Sequence, residues 1–324
     1  MLPSLFALTP APERIPLRAG PLTLNFEAGD LRYVKLGGHE VLRRVYAAVR
    51  DRNWGTVPAE ISNLQSRLSE DAFHISYTST HRQNEIHFIW QAEIVGKADG
   101  TIHFTFDGEA RSTFLRNRIG FCVLHPTGCA GARCRVERVD GARDELIFPR
   151  LVEAAQPVPG LFDLKLLAHE VITGVWAEIQ FEGDLFEMED QRNWIDASYK
   201  TFCTPLRIPY PVEVRAGTRV RQTVRLRLEG IENLELAGSA DAIRSSCSRS
   251  TTPVGIAVTT DRCPLPALGL GMASHERELS DCEVRIIRRL RPAHLRVDLK
   301  FCESGWKDEL RRALRAADGL QCPL

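Results

Sequence analysis

The sequence predicts a mainly antiparallel β sandwich followed by an incomplete (β/α) barrel segment. Three observations carry that expectation. Runs of alternating apolar and polar residues recur from Leu22 to Leu228, parted by Gly and Asp turns. Helical periodicity is almost absent from the same span. Beyond Pro253 the pattern changes to apolar runs alternating with residues at helical spacing, the signature of a parallel sheet.

Residues 1–20 are rich in Pro, Ala and Arg and read as an extended lead-in. Leu22 to Phe26 alternates, Gly29-Asp30 turns, Leu31 to Leu36 follows, and Gly37-Gly38 turns into Val41 to Val49. The pattern returns over Ala72 to Thr78, Glu85 to Val95, Thr101 to Ala110, Gly120 to Leu124, Arg133 to Val139 and Val175 to Phe181. Lys97-Ala98-Asp99-Gly100 is a hairpin turn between two of these runs. Pro211 to Arg215 and Arg219 to Leu228 close the series, the last alternating Val224, Leu226 and Leu228 with Arg225 and Arg227. Many strands joined by short turns make one sandwich-type domain over 21–230.

Residues 231–253, with the run Ser245 to Thr252, read as a linker. In 254–324, Val254 to Val258 is a short apolar strand, and Ser274 to Leu290 is a helix with Leu279, Cys282, Ile286 and Leu290 near one face. His294 to Leu299 is a second strand. Ser304 to Ala317 is a second helix, with Trp306, Leu310 and Leu314 at four-residue steps and Gly319 at its end, and Cys322-Pro323-Leu324 opens a third strand. Two such units take roughly 70 residues where a closed eight-unit barrel needs about 250. The segment therefore reads as the first β/α units of a truncated TIM-type barrel, with a small appendage as the alternative.

The 42 Lys and Arg equal the 42 Asp and Glu, so the basic excess of a nucleic-acid binder is missing. No apolar run is long enough to span a membrane, and Met1 to Thr9 lacks the basic flank and long apolar core of a signal peptide. The nine cysteines are odd in number and contain no C-x-x-C, which points to reduced thiols in the cytoplasm. Cys129 and Cys134 have no second ligand pair, so no zinc site is expected. Neither G-x-S-x-G nor a phosphate-binding glycine loop occurs, and no cofactor is expected.

The richest stretch is Phe186 to Phe202. Phe186 and Met188 fall on one strand face and Glu187 and Glu189 on the other. The alternation fails over Asp190-Gln191-Arg192-Asn193, where the chain leaves the sheet, and resumes at Ser198 with Tyr199, Thr201 and Cys203 on one side. Rings, amides and acids in one place suit a sugar-like ligand, because an apolar ring covers a C–H face while polar groups take hydroxyls. A solvated turn has the same composition. Arg50-Asp51-Arg52-Asn53-Trp54 has the flavour of Asp190 to Trp194, so the two segments either flank one cleft or each lock a loop. Arg116, Arg118 and His125 surround an apolar run, where His125 reads as buried and hydrogen-bonded. Arg296 and Asp298 lie toward the C-terminal end of a parallel strand, where barrel enzymes place working groups.

Val49 to Pro58, Gly108 to Pro126 and Phe186 to Lys200 together resemble the bacterial D-apionolactone lactonases, enzymes of apiose catabolism. His294 to Leu299 also looks like an early barrel strand of that family, so the resemblance spans nearly the whole chain. Ile195 and Tyr199 stand where Thr and Phe are expected. The resemblance implies an N-terminal β domain, a central (β/α) barrel and a C-terminal β region, of which this chain holds the first part.

It also implies carboxylic-ester hydrolysis of a small sugar lactone. That reaction needs a base to activate water and donors aimed at the developing oxyanion. The cluster offers Glu187, Asp190 and neighbouring Glu189 as bases and Arg192 as a donor. Asn193, Trp194, Asp196 and Lys200, with Asp51, Arg52, Asn53, Arg296 and Asp298, are the expected substrate-binding residues. A homo-oligomer is compatible with the sequence. Two other readings stay open: a carbohydrate-binding module, and a mutarotase-like isomerase.

Overall fold

The computed structural model describes residues 12–231, 264, 266–273, 277–302 and 304–324. The chain divides into two compact units, Met1–Ser250 and Thr251–Leu324. The Val254 to Val258 strand and the expected linker from 232 onward lie outside the described residues.

The first unit is built from two antiparallel sheets. In one, the order is β1 (Arg14–Ala19), β2 (Leu22–Glu27), β3 (Asp30–Leu36), β4 (His39–Asp51), β9 (Phe114–Pro126), β15 (Ser198–Phe202) and β14 (Glu187–Asp190), with β16 (Val212–Val214) also on β9. In the other, the order is β11 (Arg143–Ile147), β10 (Arg133–Arg138), β12 (Leu164–Ile172), β13 (Val175–Glu182), β17 (Arg219–Glu229), β8 (Ile102–Ala110), β7 (Ile86–Gly96), β6 (Phe73–Gln83) and β5 (Ala59–Leu68).

The sheets meet through alternate residues. In β8, Ile102, Phe104 and Phe106 are buried while His103 and Thr105 are only partly so. Phe121 of β9 lies edge-on to Phe104, with ring centroids 4.8 Å apart, and Phe26 of β2 meets Tyr77 of β6 at 5.8 Å. Burying each such ring contributes about 2–3 kcal/mol. One close approach needs a missing side chain. Gly120 has φ +139°, and a Cβ there would lie 2.1 Å from Gln222 Oε1. The buried Gln222 amide fills that space, accepting from Phe121 N at 2.9 Å and donating to Ile119 O at 3.3 Å.

The structure adds strands that sequence patterning does not reveal. Arg14–Ala19, in the expected lead-in, is a paired strand. Ala59–Leu68 is exposed almost throughout, so no buried face marked it. Leu164–Ile172 does not alternate, since the Leu166–Ala168 run and the His169-Glu170 pair break the period of two.

The second unit holds a parallel pair, β18 (Gly269–Gly271) and β19 (His294–Arg296), with helices α1 (Asp281–Arg289) and α2 (Trp306–Leu320). Gly269 to Gly271 carries no strand signal of its own and pairs with His294 to Arg296. Ser280 caps α1 through a reciprocal bond with Glu283, supplying the start signal. The faces differ from those expected. Leu279, Val284 and Ile287 pack on Leu295, Ala316, Ala317 and Leu320, whereas Leu290 and Leu314 are exposed. Gln321, in the left-handed region, ends α2 rather than Gly319. Two strands and two helices do not close a barrel. No described helix is long and apolar enough to cross a membrane.

Candidate functional site

β9 lies at the centre of the site. Across it, Arg50 faces Arg118 and Ala48 faces Gly120, while on its other side Phe202 faces Cys122 and Lys200 faces Leu124. Glu189 of β14 is in turn paired with Lys200. Because side chains alternate, Met188, Tyr199, Thr201, Phe121 and Val123 turn toward the core. Glu189, Lys200, Phe202, Cys122 and Arg50 turn the other way. They floor a pocket of about 640 Å³, within the size range of small-molecule sites.

Its walls come from loops. Trp54 follows β4, Gln191 and Trp194 form the 3₁₀ turn after β14, and Leu206 and Tyr210 follow β15. Gln156 comes from the long connection between β11 and β12. Trp54 and Tyr210 meet edge-on at 5.1 Å, and the Arg118 guanidinium carbon lies 5.4 Å and 5.0 Å from their respective ring centroids.

The charges in the pocket are unequal. Arg50, Arg118 and Lys200 line it against a single carboxylate, Glu189. Glu189 pairs with Lys200 and accepts from Gln191 Nε2 at 3.3 Å. Arg50 donates to the Trp54 carbonyl at 3.1 Å, and Arg118 donates to the carbonyls of Asn117 (2.8 Å) and Pro205 (3.1 Å). Burial lowers the Arg118 pKa, with Arg116 adding repulsion. Glu187 lies behind the pocket wall, buried, with its carboxylate accepting from Leu206 N at 2.6 Å; burial raises its pKa.

Asp190 sits on the Met188 face, away from the pocket. It caps the 3₁₀ turn by accepting from Arg192 N at 3.1 Å, binds Arg192 Nε at 2.9 Å and Nη2 at 2.7 Å, and accepts from Glu153 N at 2.9 Å. Arg192 also donates to the carbonyls of Pro149, Arg150 and Leu151 at 2.9, 3.0 and 2.9 Å. Burial pushes the Asp190 carboxyl up, but the Arg192 and backbone bonds together outweigh it and hold it below the usual carboxylate range.

Among the expected site residues, the structure brings Glu189, Trp194 and Lys200 into the pocket. Asp190 and Arg192 clamp the adjoining loop instead, and Asn193 and Asp196 are exposed beside it. Asp51 accepts from Asn53 N at 2.8 Å and Gly55 N at 2.7 Å, bracing its own turn, while Arg52 and Asn53 point to solvent. Arg296 and Asp298 form an exposed pair at 2.8 Å in the second unit. Tyr210 and Gln156 gave no signal in the sequence, because nothing local links them to the cluster. His125 is buried and bonded to Thr201 Oγ1 at 2.9 Å. Among the described residues no three or more His, Cys, Asp or Glu side chains gather as metal ligands.

Fold and site together define an antiparallel β-sandwich domain with a polar, ring-walled pocket on the outer face of one sheet. Residues 5–231 match the model of the D-apionate lactonase N-terminal domain, and the chain belongs to that family. The D-apionate lactonase of Brucella anthropi is 35% identical over 281 residues, covering 86% of this chain and 44% of its own. The chain thus spans less than half the length of that curated relative. Solved structures are more distant. A protein assigned as an aldose 1-epimerase in Escherichia coli K12 shares 13% identity over 67% of this chain and 99% of its own, with a TM-score of 0.45. An alpha-galactosidase from Lactobacillus brevis shares 11% over 89% and 48%, with a TM-score of 0.44.

Proposed function

We propose that this chain is part of a longer cytoplasmic carboxylic-ester hydrolase that opens a sugar lactone, D-apionolactone to D-apionate. It supplies the sandwich and the first β/α units of a barrel. The observation that carries this reading is the pocket in which Arg50, Arg118 and Lys200 outnumber one carboxylate between aromatic walls. Such a site favours a ligand that gains negative charge as it reacts.

In this reading a water oxygen attacks the lactone carbonyl carbon while Glu189 accepts its proton. Lys200 and Arg50 take the developing oxyanion. The ring C–O bond then breaks, and the leaving alkoxide recovers the proton. Trp54, Trp194 and Tyr210 cover the C–H face of the ring. Asp190 and Arg192 fix the loop that carries Trp194 and do not react, and Glu187 supports the wall from behind. The free thiols of the described cysteines agree with a cytoplasmic setting.

Acid release from D-apionolactone at constant pH tests this. Glu189→Gln is expected to lower turnover by on the order of 10²-fold. Unchanged turnover in Glu189→Gln and Lys200→Met removes the pocket from the chemistry. A second reading, a binding module serving chemistry elsewhere, is favoured by one observation: Glu189 is already engaged by Lys200 and Gln191. Binding of lactone or acid without acid release supports it.

A further inference from the structure

We infer that Arg118 is the residue that makes this pocket prefer a carboxylate, so that the ring-opened sugar acid binds more tightly than its neutral counterparts. The inference deepens the proposed function and rests on the same pocket.

Arg118 is 4% exposed, and the only hydrogen bonds it makes among the described residues go to two backbone carbonyls. Its Nε is buried without a partner. A guanidinium carries five N–H donors, so three remain unspent. Three other arginines with little-exposed side chains are neutralised. Arg192 has Asp190, Arg138 has Asp144 and Arg312 has Glu309, with side-chain exposures of 15%, 13% and 14%. Among the described residues Arg118 has no carboxylate within ion-pair distance; Glu187 attracts it from farther off and spends an oxygen on Leu206 N.

Its surroundings keep the charge available. Trp54 and Tyr210 hold the guanidinium by their rings, which attracts a cation without neutralising it. Lys200 is paired with Glu189, and Arg50 is only half-buried, so solvent screens it more than the buried Arg118. A carboxylate entering the pocket would supply the missing counter-charge and accept the unspent donors, in the geometry guanidinium favours. A neutral lactone or sugar offers only uncharged carbonyl, ether and hydroxyl acceptors, which hold a guanidinium more weakly than a carboxylate does. The acid produced by hydrolysis is therefore expected to act as a competitive product inhibitor.

Calorimetric titration of the chain with D-apionate and with neutral D-apiose tests the inference. Wild type is expected to bind the acid at least about tenfold more tightly, with affinity falling as salt rises. Arg118→Gln is expected to weaken acid binding by roughly 30-fold and leave D-apiose within about threefold. Arg118→Lys, which keeps the charge but loses the planar fork, is expected to fall between. Equal wild-type affinity for acid and sugar, or no binding of D-apionate, overturns the inference without any variant having to fold. So does an acid preference that survives in a folded Arg118→Gln. Acid preference lost with Arg118, in a protein that releases no acid from the lactone, would sink the hydrolase reading and leave this one standing.

Discussion

Glu189 and Asp190 are adjacent in one four-residue strand, yet they serve opposite ends. Glu189 faces outward into a pocket with a surplus of cations. Asp190 faces inward, where its two oxygens take four hydrogen bonds, three of them from Arg192. Both stretches look alike as composition. What separates them is whether polar atoms are left over once the protein has satisfied its own. The clamp is saturated and holds a loop; the pocket has unspent donors and can hold a ligand.

The largest expected effect breaks the clamp. Asp190→Ala leaves Arg192 without its carboxylate in a largely buried place, which costs about 3–5 kcal/mol of stability. Urea denaturation should show it, with a smaller loss of ligand affinity in the folded fraction, because the clamp reaches the pocket only through the loop that carries Trp194. Loss of binding with no loss of stability would reverse the roles assigned here. On the pocket side, Glu189→Gln should cost turnover and also stability, because it leaves the similarly enclosed Lys200 without its carboxylate. What sets it apart from Asp190→Ala is the loss of turnover in the folded fraction.

A third test uses pH and the inward face. His125 and His169 lie 5.7 Å apart by ring centroid, and burial lowers both pKa values, His169 to about 4. Below about pH 6.5 the unfolded chain takes up protons that the folded chain refuses. Stability should therefore fall as pH drops from 6.5 toward 4, by roughly 3 kcal/mol from His169 alone. His169→Gln should flatten that slope, as read from urea midpoints at pH 7.5 and 5; an unchanged slope would mean other groups dominate. The smallest effect concerns Ile195, which is 97% exposed at φ +70°. β-Branched residues are strained there, so Ile195→Asn should raise stability by about 1 kcal/mol. A thermal melt that moves down instead would show the isoleucine to be supported.

Much of this was readable from the sequence. The alternation Phe186-Glu187-Met188-Glu189 already assigned two faces, and its continuation puts Asp190 on the Met188 side, against its reading as a base. The strands with one buried face stood out, as Phe104 and Phe106 in β8 illustrate. The clamp did not, because Arg192 is satisfied by carbonyls of Pro149, Arg150 and Leu151, about 40 residues away, and carbonyls have no sequence signature. Arg118 was visible only as a charge beside an apolar run. Its significance depends on Trp54 and Tyr210 arriving from two other loops.

The most direct test of the account is a crystal structure of this chain grown with saturating D-apionate. Ligand density is expected on the outer face of the first sheet, with the carboxylate at Arg118 and the hydroxyls toward Glu189 and Lys200. Density at the Asp190–Arg192 loop, or a pocket left empty at saturation, would contradict it.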